Sequence, residues 1–175
     1  MGVNKPILQV TGYQNSGKTT LMMELIEEAA RQGWTVASLK HHGHGGTPSL
    51  SEDLKDSDRH RRAGALAAGV EGGGVLQITA AKENWQLEEI LALYRSLPVD
   101  LLLVEGYKQA EHPKIVLIKE EKELNLLDQL QNIQAVISWQ PLSVKNQGYP
   151  VFLLEEKETY KSWFVRYVKD CFFAQ

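Results

Sequence analysis

Short apolar runs alternate with helical stripes along this chain. Ile7-Leu8-Gln9-Val10 is a mostly apolar run closing at Gly12, and it reads as a strand. Leu21, Met22, Leu25, Ile26, Ala29 and Ala30 then recur at helical spacing over residues 19–32, and Gly33 ends that helix. Residues 35–40 (TVASLK) form a second predicted strand. Residues 41–54 mix Gly, Pro, Ser, His and acid without a period and read as a long loop, a kind that is usually functional or mobile. A helix is expected over residues 57–68, broken by Gly69 and Gly72-Gly73-Gly74. Residues 75–79 read as a third strand, and residues 87–97 as a helix carrying Leu87, Ile90, Leu91 and Tyr94.

The second half repeats the alternation. Residues 100–105 (DLLLVE) and 114–119 (KIVLIK) are continuous apolar runs of the kind that parallel strands show when both faces are covered. A short helix is expected over residues 124–130, and strands over 135–138 and 151–154. Tyr160, Trp163, Phe164, Tyr167, Val168, Cys171 and Phe172 form an i, i+3, i+4, i+7 stripe, so the chain ends in a helix packed on the sheet. Strands alternating with helices imply an α/β fold with a mostly parallel sheet flanked by helices, in one domain spanning residues 1–175.

Composition sharpens this only slightly. The formal net charge of −3 argues against a bulk nucleic-acid binder, which shows a basic excess. No apolar run approaches bilayer-spanning length, and residues 1–6 lack a signal-peptide core. With a single cysteine, Cys171, no internal disulfide forms; a reducing, cytoplasmic setting is expected, with Cys171 as a small buried apolar group.

The chemistry concentrates after the first strand. Gly12-Tyr13-Gln14-Asn15-Ser16-Gly17-Lys18-Thr19 matches G-x-x-x-x-G-K-[ST] in full, between an apolar strand and an amphipathic helix. In such a loop the glycines let backbone N–H groups of residues such as Gln14, Asn15 and Ser16 approach phosphate oxygens. Lys18 sets a compact charge against the β- and γ-phosphates, and the Thr19 hydroxyl ligates magnesium, with Thr20 next in the helix. Glu105 ends the run 101–105, where a carboxylate beside the loop holds magnesium directly or through water. A nucleoside triphosphate with Mg2+ is therefore the expected ligand.

Two polar segments remain. Lys40-His41-His42-Gly43-His44 lacks zinc-ligand spacing and is expected to present donors such as His41 toward phosphates, while His42 reads equally well as solvent-exposed. Asp53, Asp56, Arg59, His60, Arg61 and Arg62 form a cluster in which Arg59 is placed to offset charge on the γ-phosphate. Asp56 is the candidate for aligning an attacking water, and at least one arginine is expected on a solvated helix face.

Several motifs together resemble the MobB family of molybdopterin-guanine dinucleotide biosynthesis proteins. These are Gly12–Leu21 (GYQNSGKTTL), the Lys40–His44 segment, Lys55–Ala65 (KDSDRHRRAGA), and Asp100–Lys108 (DLLLVEGYK) followed by Pro113-Lys114-Ile115. Gly43 stands where the family often has His, and Asp58 where an aromatic is usual. The resemblance covers residues 7–118. It implies a P-loop NTPase fold, GTP as the nucleotide, weak GTPase activity, a homodimer, and an accessory role beside MobA, the guanylyltransferase that attaches GMP to molybdopterin. It leaves three roles open: a slow GTP hydrolase serving as an accessory protein, a small-molecule kinase using the same loop, and a nucleotide-gated scaffold. The guanine-reading motif [NT]-K-x-D is absent; Lys119-Glu120-Glu121-Lys122 does not replace it.

Overall fold

The computed structural model describes residues 6–43, 55–143 and 148–173. The chain forms two compact units: Met1–Gly43 with Leu91–Gln175, and His44–Ile90.

The larger unit is built on a six-stranded sheet in the order β2-β5-β1-β6-β7-β8, all neighbours parallel. Its strands are β1 (Ile7–Gly12), β2 (Val36–Lys40), β5 (Leu101–Glu105), β6 (Lys114–Ile118), β7 (Ile133–Ser138) and β8 (Val151–Leu153). β5 and β6 are buried along their whole length, which explains their unbroken apolar runs. Leu8, Val10, Leu101, Leu103, Ile115, Leu117, Ala135 and Ile137 pack with Leu21, Met22, Leu25 and Ala29 of α1 (Lys18–Arg31). Tyr160, Phe164 and Val168 of α5 (Lys157–Val168) complete that cluster, so the aromatic stripe is core, as its spacing predicts. A second cluster joins Val116, Ile118 and Val136 to Leu126, Leu127 and Leu130, around the short α4 (Asn125–Gln129).

The terminal stripe fails at one point: Cys171 is exposed, not buried. α5 ends at Val168 and Lys169–Phe173 turn as a π-helix, whose wider i→i+5 winding breaks the 3.6-residue period.

The smaller unit departs further from the sequence pattern. Its helix α2 is Lys55–Arg62 and does not run on to residue 68. Ala67–Gly72 is instead a strand, β3, paired antiparallel with β4 (Val75–Ala80) in a separate two-stranded ribbon. Gly73 and Gly74 both adopt positive φ (60° and 81°), the turn that matches the twist of a tight hairpin. The helix α3 (Leu87–Tyr94) is three residues shorter at its end than its apolar spacing predicts. Of the loop expected over residues 41–54, positions 44–54 lie outside the described residues.

Lys114 carries a charge into the interior. It is fully buried at the start of β6, and its Nζ donates to the carbonyls of Ala110 (2.8 Å), His112 (2.9 Å) and Gln131 (2.6 Å). Three backbone acceptors thus share one ammonium, tying the segment after β5 to the start of β7. Replacing Lys114 by Met should cost about 3 kcal/mol, because it removes three charge-assisted hydrogen bonds made from a buried position. The check is the urea midpoint at unchanged slope; equal midpoints would show that the ammonium carries no net stability.

Candidate phosphate-binding site

β1 lies between β5 and β6, so the chain leaves β1 at the point where strand connections diverge to opposite sides of the sheet. Parallel sheets offer ligands a crevice at such a place, beyond the carboxyl ends of the strands. Residues 12–17 occupy it.

The loop has no room for larger residues where it turns. A Cβ at Gly12 would stand 2.7 Å from the Leu117 carbonyl oxygen, which is backbone and does not yield. Asn15 (φ 58°) and Gly17 (φ 96°) adopt left-handed conformations, and Gly17 is the residue from which α1 starts. α1 has no side-chain cap at that end and no acid in its first turn, which leaves its N-terminal N–H groups and positive dipole end facing the loop. The Ser16 hydroxyl is buried without a partner among the described residues, a polar atom directed into the loop itself. Lys18 folds its Nζ onto the Tyr13 carbonyl at 2.6 Å. Partial burial holds the Lys18 ammonium below its usual range, with the Glu105 carboxylate opposing that shift. An anion in the loop relieves the same penalty.

Beside the loop, Glu105 is buried at the end of β5 and accepts from the Thr19 hydroxyl at 3.1 Å through either carboxylate oxygen. The Lys40 ammonium contacts both groups, donating to Thr19 Oγ1 at 2.9 Å and pairing with Glu105 Oε1 at 3.2 Å. One hydroxyl and one carboxylate therefore already converge on a cation. That donor set fits magnesium, which takes few protein oxygens and keeps the rest for phosphate and water. Bound there through Thr19 and Glu105, the ion would neutralise charge on the β- and γ-phosphates.

The turn after Glu105 is fixed from two sides. Gln9, wholly buried in β1, donates through Nε2 to the carbonyls of Gly106 and Tyr107, each at 3.1 Å, while the Gly106 N–H donates to Val10 O at 3.0 Å. Gly106 (φ 95°) is required because a Cβ would meet His41 Cβ at 2.9 Å. His41 in turn donates its backbone N–H to Glu105 O at 2.9 Å and lays its ring 4.4 Å from that of Tyr107.

Most sequence-derived candidates thus meet in the larger unit: Gly12, Gln14, Asn15, Ser16, Gly17, Lys18, Thr19 and Thr20 on the loop and first turn, with Glu105 and His41 alongside. His41 and His42 are both exposed. Asp56 and Arg59 stand on α2 in the smaller unit, and the Asp56 side chain lies outside the described residues. Sequence reasoning missed three participants. In the sequence Lys40 stands only as part of the His segment, and Gln9 only as part of an apolar run. Trp139, whose Nε1 donates to Ser16 O at 2.8 Å, carries no motif at all. A polar Gln inside a buried strand was the one available signal.

Comparison with known proteins agrees with this geometry. The family model described as molybdopterin guanine dinucleotide synthesis protein B matches residues 7–139. A Bacillus subtilis protein named probable molybdopterin-guanine dinucleotide biosynthesis adapter protein is 45% identical over 147 residues, 84% of each chain. The Haemophilus influenzae adapter protein is 32% identical over 142 residues, covering 79% of this chain and 78% of its own. The crystal structure of a MobB homolog from Bacillus stearothermophilus superposes with a TM-score of 0.77 at 41% identity, over 94% of this chain and 98% of the other. On this match of sequence, fold and loop, the chain belongs to the MobB family, the molybdopterin guanine dinucleotide synthesis proteins B.

Proposed function

We propose that this chain binds GTP with Mg2+ at the Gly12–Thr19 loop, hydrolyses it slowly, and acts as an adapter in molybdopterin guanine dinucleotide biosynthesis. The observation that carries the reading is the convergence of Thr19, Glu105 and the Lys40 ammonium beside a loop whose buried Ser16 hydroxyl has no partner among the described residues. GTP as the nucleotide and the adapter role follow from the family and from the names its relatives carry.

Within this reading Lys18 holds the β/γ-phosphates, and Thr19 and Glu105 hold the metal. His41 serves the γ-phosphate side. Hydrolysis is slow because phosphoryl transfer needs an aligned attacking oxygen as well as neutralised charge. The larger unit supplies the charge: Lys18, Lys40 and the metal ligands. Among its described residues the one buried carboxylate is Glu105, which would be engaged by the metal. A partner completes the alignment, and the guanylyltransferase MobA is the partner proposed. A cytoplasmic homodimer is part of the same reading. The β3–β4 ribbon supports it: two strands alone are marginal in water, and Leu76 and Ile78 on one of its faces are 62% and 63% exposed. Among the described residues no helix is long and apolar enough to cross a membrane.

Phosphate release from GTP tests this, measured with the chain alone and then with purified guanylyltransferase and molybdopterin. Slow release alone and faster release in the mixture is the expected result. Fast turnover alone, or phosphate delivered to a small acceptor, would identify a kinase instead. No binding to the transferase with or without GTP would remove the adapter role.

A further inference from the structure

Trp139 stands on the flank of the loop away from the metal ligands. Thr19, Lys40 and Glu105 gather on the β2–β5 side of β1. A magnesium ion held by Thr19 and Glu105 would neutralise charge on the β- and γ-phosphates, which would set the γ end of a bound triphosphate on that side. The α-phosphate and the nucleoside must then leave the loop over the opposite flank, beyond the ends of β6 and β7. Trp139 is the first residue after β7, and Lys119 the first after β6.

The indole is held as a fixed surface. Its backbone N–H donates to Ile118 O at 3.0 Å and its ring N–H to Ser16 O at 2.8 Å, anchoring it to the sheet and to the loop. Its six-membered ring runs alongside Gly17, where a Cβ would come to 3.7 Å from Cζ2. The residue nevertheless remains 49% exposed beside the polar loop. The Lys119 ammonium lies over one face of the ring, 5.2 Å from its centroid, on a flexible stem that leaves that face when a base stacks there. A rigid aromatic face with a cation at hand is the arrangement that stacks a nucleobase without reading its edges. It accounts for a nucleotide site in which no [NT]-K-x-D motif follows the strand.

We propose that Trp139 is the stacking platform for the purine base of the bound triphosphate, with Lys119 flanking it. This rests on the loop being a triphosphate site. The proposal is a base-binding surface of the aromatic-stacking class, giving affinity for purine nucleotides rather than strict guanine selection.

The test compares GTP with inorganic tripolyphosphate, which carries the phosphates and no base, by calorimetric titration in Mg2+ buffer. Wild type should bind GTP more tightly than tripolyphosphate. Trp139→Ala should weaken GTP by about 5- to 150-fold and leave tripolyphosphate unchanged. Trp139→Phe keeps a ring but loses the hydrogen bond to Ser16, and it should retain most of the GTP advantage. This variant also serves if the alanine form does not fold. Equal loss for both ligands in either variant would make Trp139 a brace for the loop and overturn the stacking role. Unchanged GTP affinity in Trp139→Ala would overturn it too. If wild type binds neither ligand, the triphosphate reading itself fails and the stacking proposal falls with it.

Discussion

Lys18→Ala should lower triphosphate affinity on the order of 100-fold while the chain stays folded. The side chain makes one hydrogen bond in the described structure, to the Tyr13 carbonyl at 2.6 Å, and that carbonyl belongs to a loop open to water. Losing it costs the fold little. Losing the charge removes the only ammonium on the loop, placed where burial already disfavours it without an anion. Calorimetric titration with a nonhydrolysable GTP analogue reads the affinity, and thermal unfolding without ligand reads the fold. A folded variant of unchanged affinity would sink the phosphate role of Lys18. A variant that unfolds would show that the lysine braces the loop.

Glu105→Gln should weaken magnesium dependence by roughly 10- to 100-fold and slow hydrolysis with it. The amide keeps the shape of the side chain and can still accept from Thr19. It removes the charge that pairs with Lys40 at 3.2 Å and that a divalent cation needs. The effect should therefore appear in the concentration of Mg2+ that gives half-maximal GTP binding, more than in binding at saturating Mg2+. A wild-type response across the whole magnesium titration would remove Glu105 from the metal site.

The loop and the Glu105 carboxylate beside it were legible because both depend on local chemistry. A tight anion-binding turn needs Gly at residues 12 and 17, and Lys18 and Thr19 must follow at once to open the helix. A strand covered on both faces needs an unbroken apolar run, so residues 101–105 announced a buried strand ending in an acid. What the sequence hid was non-local or weakly patterned. Trp139 reaches the loop across 123 residues of chain, and Lys40 meets Thr19 across 21. No spacing rule covers either distance. β3 was hidden for a different reason. Ala67, Ala68 and Gly69 carry no alternation, and alanine favours helix in isolation. The strand forms because the Gly73-Gly74 turn folds it onto β4, a tertiary constraint that overrides propensity. Cys171 shows the limit of periodicity at a helix end: one π-helical turn was enough to rotate it off the buried stripe.

The central claim is that residues 12–19 form a metal-dependent triphosphate site. Titration of the purified chain with GTP in a calorimeter, with Mg2+ and then with a chelator in its place, tests it most directly. The account predicts one saturable site per chain, with affinity that falls sharply when the metal is removed. Absence of binding by GTP at millimolar concentration in the presence of Mg2+ would contradict it.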